Sequence, residues 1–151
     1  MSEHNKMQVL LRVRYAECDA QQVVFNSRYA EYVDLAATEF MRAVLGGFDK
    51  LLEQGLDNQV VNLNISWQGP AKFDDVISMD VFVSKVGTSS FTLDVEMFHQ
   101  TTKQAICTAQ VIYVMVDAKT FKKVEINQKL KHILLAGAPD ASVNLAGTFA
   151  P

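Results

Sequence analysis

Two carboxylates lie shortly before an asparagine and the strongest helical pattern in the chain. Glu17 and Asp19 open a polar stretch, and Asn26 closes it just ahead of the helix. The first turn of a helix offers unpaired N–H groups and partial positive charge, which can stabilise the oxyanion formed when a thioester or ester carbonyl is attacked. A carboxylate upstream can fold back to attack that carbonyl or to activate water. The same residue types also suit a purely structural role, in which Asp19 forms part of a turn and Asn26 caps the helix.

The spacing of Glu17 and Asp19 leaves two interpretations open. Residues two apart in an extended segment point to the same side, where two close carboxylates can form an acid/base pair. Alternatively, Glu17 is the ion-pair partner of an arginine. The candidate arginines are Arg12, Arg14 and Arg28. We favour the ion pair.

The histidines and cysteines give no sign of catalysis or metal binding. His4, His99 and His132 are each expected at the surface, and none has a Cys or carboxylate neighbour at metal-ligand spacing. Cys18 and Cys107 fit neither a zinc site nor a disulfide framework, so we expect reduced thiols in a cytoplasmic protein, with Cys18 as a small buried side chain. No metal and no bound cofactor are expected.

Length, composition and charge exclude several functional classes. The chain has 151 residues, 49% of them apolar, which suffices for one domain with its own core. No stretch approaches the roughly 18 consecutive apolar residues of a membrane span. The net charge is −3 at pH 7, and the densest basic cluster is only Lys119, Lys122 and Lys123. A nucleic-acid partner is not expected, because such binders carry a basic stripe.

The periodicity of apolar residues predicts one long helix followed by a sheet. Apolar side chains recur at helical spacing from Tyr29 to Val44, and Gly46-Gly47 ends the pattern. Asn26 or Ser27 is expected to cap its start. Beyond Gly55 the period changes to two, and short connections imply antiparallel hairpins. The predicted strands with this period are Val61–Trp67, Ile77–Ser84 and Phe91–Phe98. A fourth predicted strand, Ala105–Val116, is apolar at nearly every position and is expected to be buried on both faces.

Shorter elements complete an α+β domain, a long helix packed on a curved antiparallel sheet of five to six strands. We expect an early strand at Met7–Tyr15, a weak strand near Phe121–Ile126, and short helices at Asp49–Gln54 and Gln128–Leu135. The domain is predicted to span residues 1–137, with residues 138–151 as a loosely docked tail. Trp67 is expected in the core, and Tyr15 and Tyr32 in the core or an interface.

Three motifs resemble the hotdog-fold acyl-CoA thioesterases of the 4-hydroxybenzoyl-CoA thioesterase-like family. The first runs Arg12-x-Arg14-Tyr15-x-Glu17-Cys18-Asp19, steps into Asn26, and continues to Thr38-Glu39-Phe40 at the end of the helix. The second is Gly69-Pro70-Ala71 with Asp74-Asp75 before a strand. The third is Gly87-Thr88-Ser89-Ser90-Phe91 at the next hairpin. The resemblance covers roughly Val9–Val124 and includes the strand order.

The resemblance implies hydrolysis of an acyl thioester to a carboxylic acid and CoA. It makes Asp19 the catalytic carboxylate, as nucleophile or general base, and places the oxyanion-stabilising N–H near Asn26. The residues that the resemblance assigns to substrate binding are Phe25, Tyr29, Thr88, Ser89 and Ser90. CoA enters only as part of the substrate, and the site forms between two subunits of a homodimer or homotetramer.

Two departures from the family pattern bear on the substrate. Many relatives have Gly at the position of Gln22, and if that turn needs a positive φ, Gln22 is strained by about 1 kcal/mol. Aroyl-CoA enzymes carry basic residues where this chain has Gly87-Thr88-Ser89. The second departure favours an aliphatic acyl-CoA or an acyl-carrier-protein substrate. Both departures also keep open an alternative function, that of a non-catalytic acyl or acyl-carrier-protein binding module with the same fold.

Overall fold

The alternating segments of the sequence form a six-stranded sheet in the computed structural model, which describes residues 5–148. The strand order across the sheet is β2-β5-β4-β3-β1-β6, antiparallel except that β6 pairs in parallel with β1. The strands are β1 (Met7–Arg12), β2 (Leu56–Trp67), β3 (Val76–Val86), β4 (Ser90–His99), β5 (Ala105–Asp117) and β6 (Ser142–Asn144). The predicted α+β class and strand number are confirmed.

The long helix α1 (Arg28–Leu45) lies against the sheet and buries one apolar side. Its buried residues are Tyr29, Tyr32, Val33, Ala36, Ala37, Phe40 and Met41. The helix ends at Gly46 in a left-handed conformation with φ 91°, as the sequence predicted. The expected side-chain cap is absent, because Ser27 already has helical dihedrals and its hydroxyl makes no capping bond.

The two short helices predicted from the sequence are present in the structure. Helix α2 (Phe48–Glu53) follows α1 directly, and helix α3 (Gln128–Ala136) packs near β3. The side chain of Asn127 caps α3 by accepting a 2.8 Å hydrogen bond from the N–H of Leu130.

Three segments differ from the sequence prediction. Strand β1 stops at Arg12 and gives way to a 3-10 turn at Tyr15–Glu17. Residues 121–126 form no strand, because Phe121 adopts φ 58° and the segment makes one isolated bridge, Lys123 with Val116. Strand β6 lies in the C-terminal segment instead, and the Arg12 guanidinium donates to the carbonyls of Ala146 and Thr148 at 3.0 and 2.6 Å. The boundary between domain and tail stays a prediction.

Strand β2 is an edge strand whose apolar residues remain largely uncovered. It pairs only with β5, and its pairing register shifts at Val61. The exposed fractions are 57% for Val60, 59% for Val61, 42% for Leu63 and 49% for Trp67. The expectation that Trp67 lies in the core is therefore wrong. Alternation predicts that a strand has an apolar face, but not that the chain supplies a cover for it.

Candidate active site

Residues 18–24 form a small hairpin that carries Asp19. Cys18 bridges to Val24, and the N–H of Asp19 donates to the carbonyl of Val23 at 2.9 Å. The carboxylate Oδ1 of Asp19 accepts a 2.8 Å hydrogen bond from the N–H of Gln21. The other oxygen, Oδ2, accepts no hydrogen bond from residues 5–148. One oxygen thus fixes the turn, and the other is available to a substrate or to water.

The position of Gln22 has the conformation that favours glycine. Its φ is 66°, and its N–H donates to the carbonyl of Asp19 at 2.9 Å. The turn therefore has the left-handed conformation at this position, and it forms with a glutamine there. Gln22 is strained there, but the hairpin is intact.

The carboxylate of Asp19 faces a cavity of 270 Å³. Its other lining residues are Tyr15, Cys18, Gln22 and Phe73. The rings of Tyr15 and Phe73 meet edge to face at 5.8 Å and are 80% and 53% exposed. The expectation of Tyr15 in a core is wrong for this chain alone, whereas Tyr32 is buried.

Helix α1 begins directly after the same loop, at Arg28. The N–H of Phe25 donates to the carbonyl of Glu17, and that of Arg28 to the carbonyl of Phe25. The N–H groups of Asn26 and Ser27 have no backbone acceptor in the part of the chain that the structure describes. They are donors at the positive end of an 18-residue helix, as oxyanion stabilisation requires.

A second cavity, of 360 Å³, lies beside this helix start. It is lined by Val24, Asn26, Tyr29, Trp67, Gln68, Gly69 and Pro70. The Tyr29 ring is buried and meets Trp67 edge to face at 5.9 Å. Burial raises the pKa of Tyr29 to about 12, so the phenol is neutral. Phe25 is 47% exposed and lines neither cavity.

The two candidate catalytic groups therefore line different cavities of one chain. Val24 lies between them, and its N–H donates to the carbonyl of Ala71 at 2.8 Å. Asp19 precedes Val24 and Asn26 follows it, so one short segment carries both groups.

The third predicted part of the site, Thr88–Ser90, lies at the far end of the sheet. Strand β3 begins at Val76 beside the Asp19 loop, where the N–H of Val13 donates to the carbonyl of Asp75, and runs 11 residues to Val86. At about 3.3 Å per residue, that separation is roughly 35 Å. One chain does not bring this hairpin to Asp19.

Glu17 does not point to the same side as Asp19. Its side chain is 4% exposed and accepts hydrogen bonds from Arg14 and from the Tyr32 hydroxyl. Burial raises the pKa of Glu17, but the bonds from Arg14 and Tyr32 outweigh burial and the net pKa is lowered. The ion-pair interpretation is confirmed, with Arg14 as the partner. The acid/base pair with Asp19 is wrong, because residues 15–17 form a 3-10 turn rather than an extended segment.

A polar groove of 660 Å³ adjoins the Asn26 cavity and was not predicted. The two share Gln68, Gly69 and Pro70. In the groove, His99 lies 3.5 Å from the Asp75 carboxylate and 3.1 Å from the carbonyl of Pro70. Only the pairing of β3 with β4, which sets Ile77 opposite His99, brings these residues together. Sequence spacing carries no such signal.

Neither a metal-binding cluster nor a membrane-spanning helix is found among the described residues. No group of three or more His, Cys, Asp or Glu side chains there is arranged to hold a metal ion. None of the helices within residues 5–148 has the length and apolarity needed to cross a membrane.

Comparison with known proteins gives consistent matches over most of the chain. The family model described as "Thioesterase-like superfamily" matches residues 13–134. The acyl-CoA thioesterase YbgC of Haemophilus influenzae is 30% identical, covering 80% of this chain and 88% of that protein. The long-chain acyl-CoA thioesterase FadM of Escherichia coli is 25% identical, and the match covers 85% of this chain and 96% of that protein. The structure of YbaW, a probable thioesterase from Escherichia coli, superposes with a TM-score of 0.78 at 24% identity, covering 87% of this chain and 98% of that one.

Replacing Gln22 with glycine is expected to leave the stability of the protein level or slightly raised. Gln22→Gly removes left-handed strain of about 1 kcal/mol, while the added entropy of the unfolded chain costs about 0.4–1 kcal/mol, so the free energy of unfolding measured by urea denaturation should not fall. The matched control is Gln21→Gly, at a neighbouring position without positive φ, which should lower it by about 0.4–1 kcal/mol. Equal losses in both variants would contradict the assignment of strain to residue 22.

The buried carboxylate of Glu17 is expected to make stability depend on pH. Its pKa is lower in the folded protein, so its contribution is complete above the unfolded value of about 4.3 and disappears as the pH falls through the folded pKa. The stability difference between wild type and Glu17→Gln should therefore shrink from pH 6 to pH 3 in urea denaturation. Glu53→Gln, which removes an exposed partner of Lys50, is the control. A difference that stays constant over this range would refute the ionised, bonded state of Glu17.

Proposed function

The chain belongs to the thioesterase-like superfamily and is a thioester hydrolase of the hotdog fold; on that premise we propose that Asp19 and the N-terminus of α1 hydrolyse an acyl thioester. The main observation behind the proposal is that one short loop holds both an acceptor and donors without hydrogen-bond partners. Oδ2 of Asp19 and the N–H groups of Asn26 and Ser27 have no protein partner within residues 5–148. A hydrolase needs both, one as base or nucleophile and one as oxyanion donor.

In the proposed reaction, the thioester carbonyl lies between the two groups. As a general base, Asp19 takes a proton from water, and the hydroxide adds to the carbonyl carbon. The oxyanion accepts hydrogen bonds from the N–H groups of Asn26 and Ser27. Collapse of this intermediate breaks the C–S bond, and the proton held by Asp19 passes to the thiolate, so that the thiol and the carboxylic acid leave. As a nucleophile, Asp19 would add to the carbonyl carbon, the C–S bond would break with departure of the thiolate, and water would cleave the resulting anhydride to release the carboxylic acid and regenerate Asp19.

The proposed substrate is an aliphatic acyl thioester of CoA or of acyl carrier protein. Two relatives named as acyl-CoA thioesterases support the CoA form. The cavity beside Asn26 is walled by Val24, Tyr29 and Trp67, which suits an apolar group. Phe25 is exposed and lines neither cavity, so its part in substrate binding stays a prediction. The hairpin Thr88–Ser90 offers hydroxyls rather than cations, which favours a substrate held mainly by its acyl group. Cys18 and Cys107 are free thiols, which fits a reducing cytoplasm.

A second copy of the chain is proposed to complete the site. Strand β2 is a 12-residue edge with unpaired backbone groups on one side and exposed apolar side chains, which is the arrangement that another strand can cover. Pairing of β2 with its copy about a two-fold axis would reverse one sheet relative to the other. The Thr88–Ser90 hairpin of the partner would then lie at the Trp67 end of this chain, where Asp19 and Asn26 are. A homotetramer would repeat this dimer.

Removal of the Asp19 charge tests the catalytic role. Asp19→Asn keeps the Oδ1 acceptor that fixes the turn, so the fold should persist, while thiol release from acyl-CoA should fall at least about 100-fold. The measurement is a thiol-release assay across short, medium, long and aromatic acyl-CoAs. The exposed Asp140→Asn is the control and should keep full turnover. Unchanged turnover in Asp19→Asn would overturn the assignment.

A charge on the β2 edge tests the dimer. Leu63→Lys should give a monomer in analytical ultracentrifugation and lose most thiol release. Pairing of two β2 edges would bury the charged lysine, which opposes the pairing. Thr108→Lys, at an exposed position of β5, should leave assembly and turnover as in wild type. A wild-type protein that is monomeric and fully active would contradict this part of the proposal.

The alternative is a binding module that holds acyl thioesters without cleaving them. Saturable binding of acyl-CoA with no thiol release would select it. The strained Gln22 motivates this alternative, yet the loop keeps its hairpin with glutamine in place. The hydrolase therefore remains the preferred proposal.

A further inference from the structure

The carboxylate of Glu17 is the most heavily bonded acidic group near the proposed site. Its Oε1 accepts from the N–H of Arg14 at 2.8 Å and from the hydroxyl of Tyr32 at 2.9 Å. Its Oε2 accepts from Nε and Nη2 of Arg14 at 3.3 and 3.0 Å. A carboxylate has about four lone-pair sites, and here all four are used. We call Glu17, Arg14 and Tyr32 the Glu17 clasp.

The Glu17 clasp joins the two sides of the active-site loop. The backbone carbonyl of Glu17 accepts the N–H of Phe25 at 2.9 Å, so the residue before Asn26 is fixed to the residue two before Asp19. The side chain reaches Tyr32, which is 1% exposed inside α1. The loop that carries Asp19 and the start of α1 are thereby both connected to Glu17.

The clasp has no capacity left for proton transfer. Every acceptor site of Glu17 is occupied, and the residue is almost fully buried. Burial and the hydrogen bond that the Tyr32 hydroxyl donates to Glu17 together raise the pKa of Tyr32, so that hydroxyl stays protonated and keeps donating. The clasp is thus a fixed structure and not an acid or base.

Other contacts keep the loop folded if the clasp is weakened. The N–H of Asp19 still donates to Val23, and Val24 still bonds to Ala71. Loss of the clasp would therefore shift Asp19 relative to α1 without unfolding the hairpin. Reaction rates are sensitive to such shifts, since a displacement of about 1 Å can cost about 100-fold.

We propose that Glu17 is a positioning residue, which sets the distance between the Asp19 carboxylate and the N–H groups at the start of α1. This inference rests on the proposed function for its effect on turnover. Its structural part, the fixed spacing of the two groups, does not.

The test compares Glu17→Gln and Tyr32→Phe with wild type in acyl-CoA hydrolysis. In Glu17→Gln an amide NH2 replaces the oxygen that faces the Arg14 guanidinium, so kcat should fall at least about 10-fold while KM stays within about twofold. Tyr32→Phe removes one of the four bonds and should lower kcat by about threefold. The double variant should be no worse than Glu17→Gln, because both changes act on one network.

A destabilised control separates positioning from general loss of stability. Val95→Ala deletes buried methyl groups in β4, far from the loop, and should lower the melting temperature while kcat stays as in wild type. A kcat in Glu17→Gln equal to that of wild type would overturn the proposal. So would a rise in KM at constant kcat, or a kcat that falls equally in Val95→Ala. If Glu17→Gln does not fold, Tyr32→Phe carries the same test.

Amide hydrogen exchange distinguishes failure of this inference from failure of the proposed function. In Glu17→Gln, exchange should quicken in the peptide covering residues 18–27 and remain unchanged in β4. Unchanged exchange in residues 18–27 would refute the clasp even in an active enzyme. A wild-type protein without thiol release, but with this exchange pattern, would refute the hydrolase and leave the positioning intact.

Discussion

The hydrogen bond from the Phe25 N–H to the Glu17 carbonyl closes the loop on which the candidate site depends. It brings the end of the β1 segment to the start of α1, and α1 is itself fixed by burial of one side against the sheet. The loop between these points is too short to adopt many shapes, and it forms a hairpin. A carboxylate and a helix N-terminus are thus placed on either side of Val24, and a thioester carbonyl near both would meet a base and two N–H donors.

The edge strand β2 leaves apolar side chains uncovered in the same region. Trp67, at the end of that strand, contacts Tyr29 of α1 and walls the cavity beside Asn26, yet it is half exposed. The predicted CoA-contacting hairpin, Thr88–Ser90, lies at the opposite end of the sheet. Pairing of two β2 edges would account for both features, because it would cover Trp67 and bring in the partner's hairpin. The proposed dimer is therefore part of the proposed mechanism.

The sequence predicted the elements whose apolar period is long and regular. The 3.6-residue period indicates α1 and the two-residue period indicates β2 to β4, because one buried side per element is a local property of the chain. A nearly continuous apolar run indicates β5, but the expectation that both its faces are buried is wrong, since Ala105, Thr108 and Gln110 are exposed. The same locality explains the failures. Periodicity does not tell an edge strand from a central one, so Trp67 was placed in the core. It also does not show the 3-10 turn at Tyr15–Glu17, which separates Glu17 from Asp19. The contact of His99 with Asp75 depends on strand register and has no local signal.

The structure of Asp19→Asn with a bound acyl-CoA tests the central claim most directly. This variant should retain the substrate, so the thioester carbonyl can be located. The account predicts its oxygen at about 2.7–3.1 Å from an N–H of Asn26 or Ser27, with the carbonyl carbon beside the side chain of residue 19. A carbonyl bound elsewhere, for example in the groove at His99 and away from the start of α1, would contradict it.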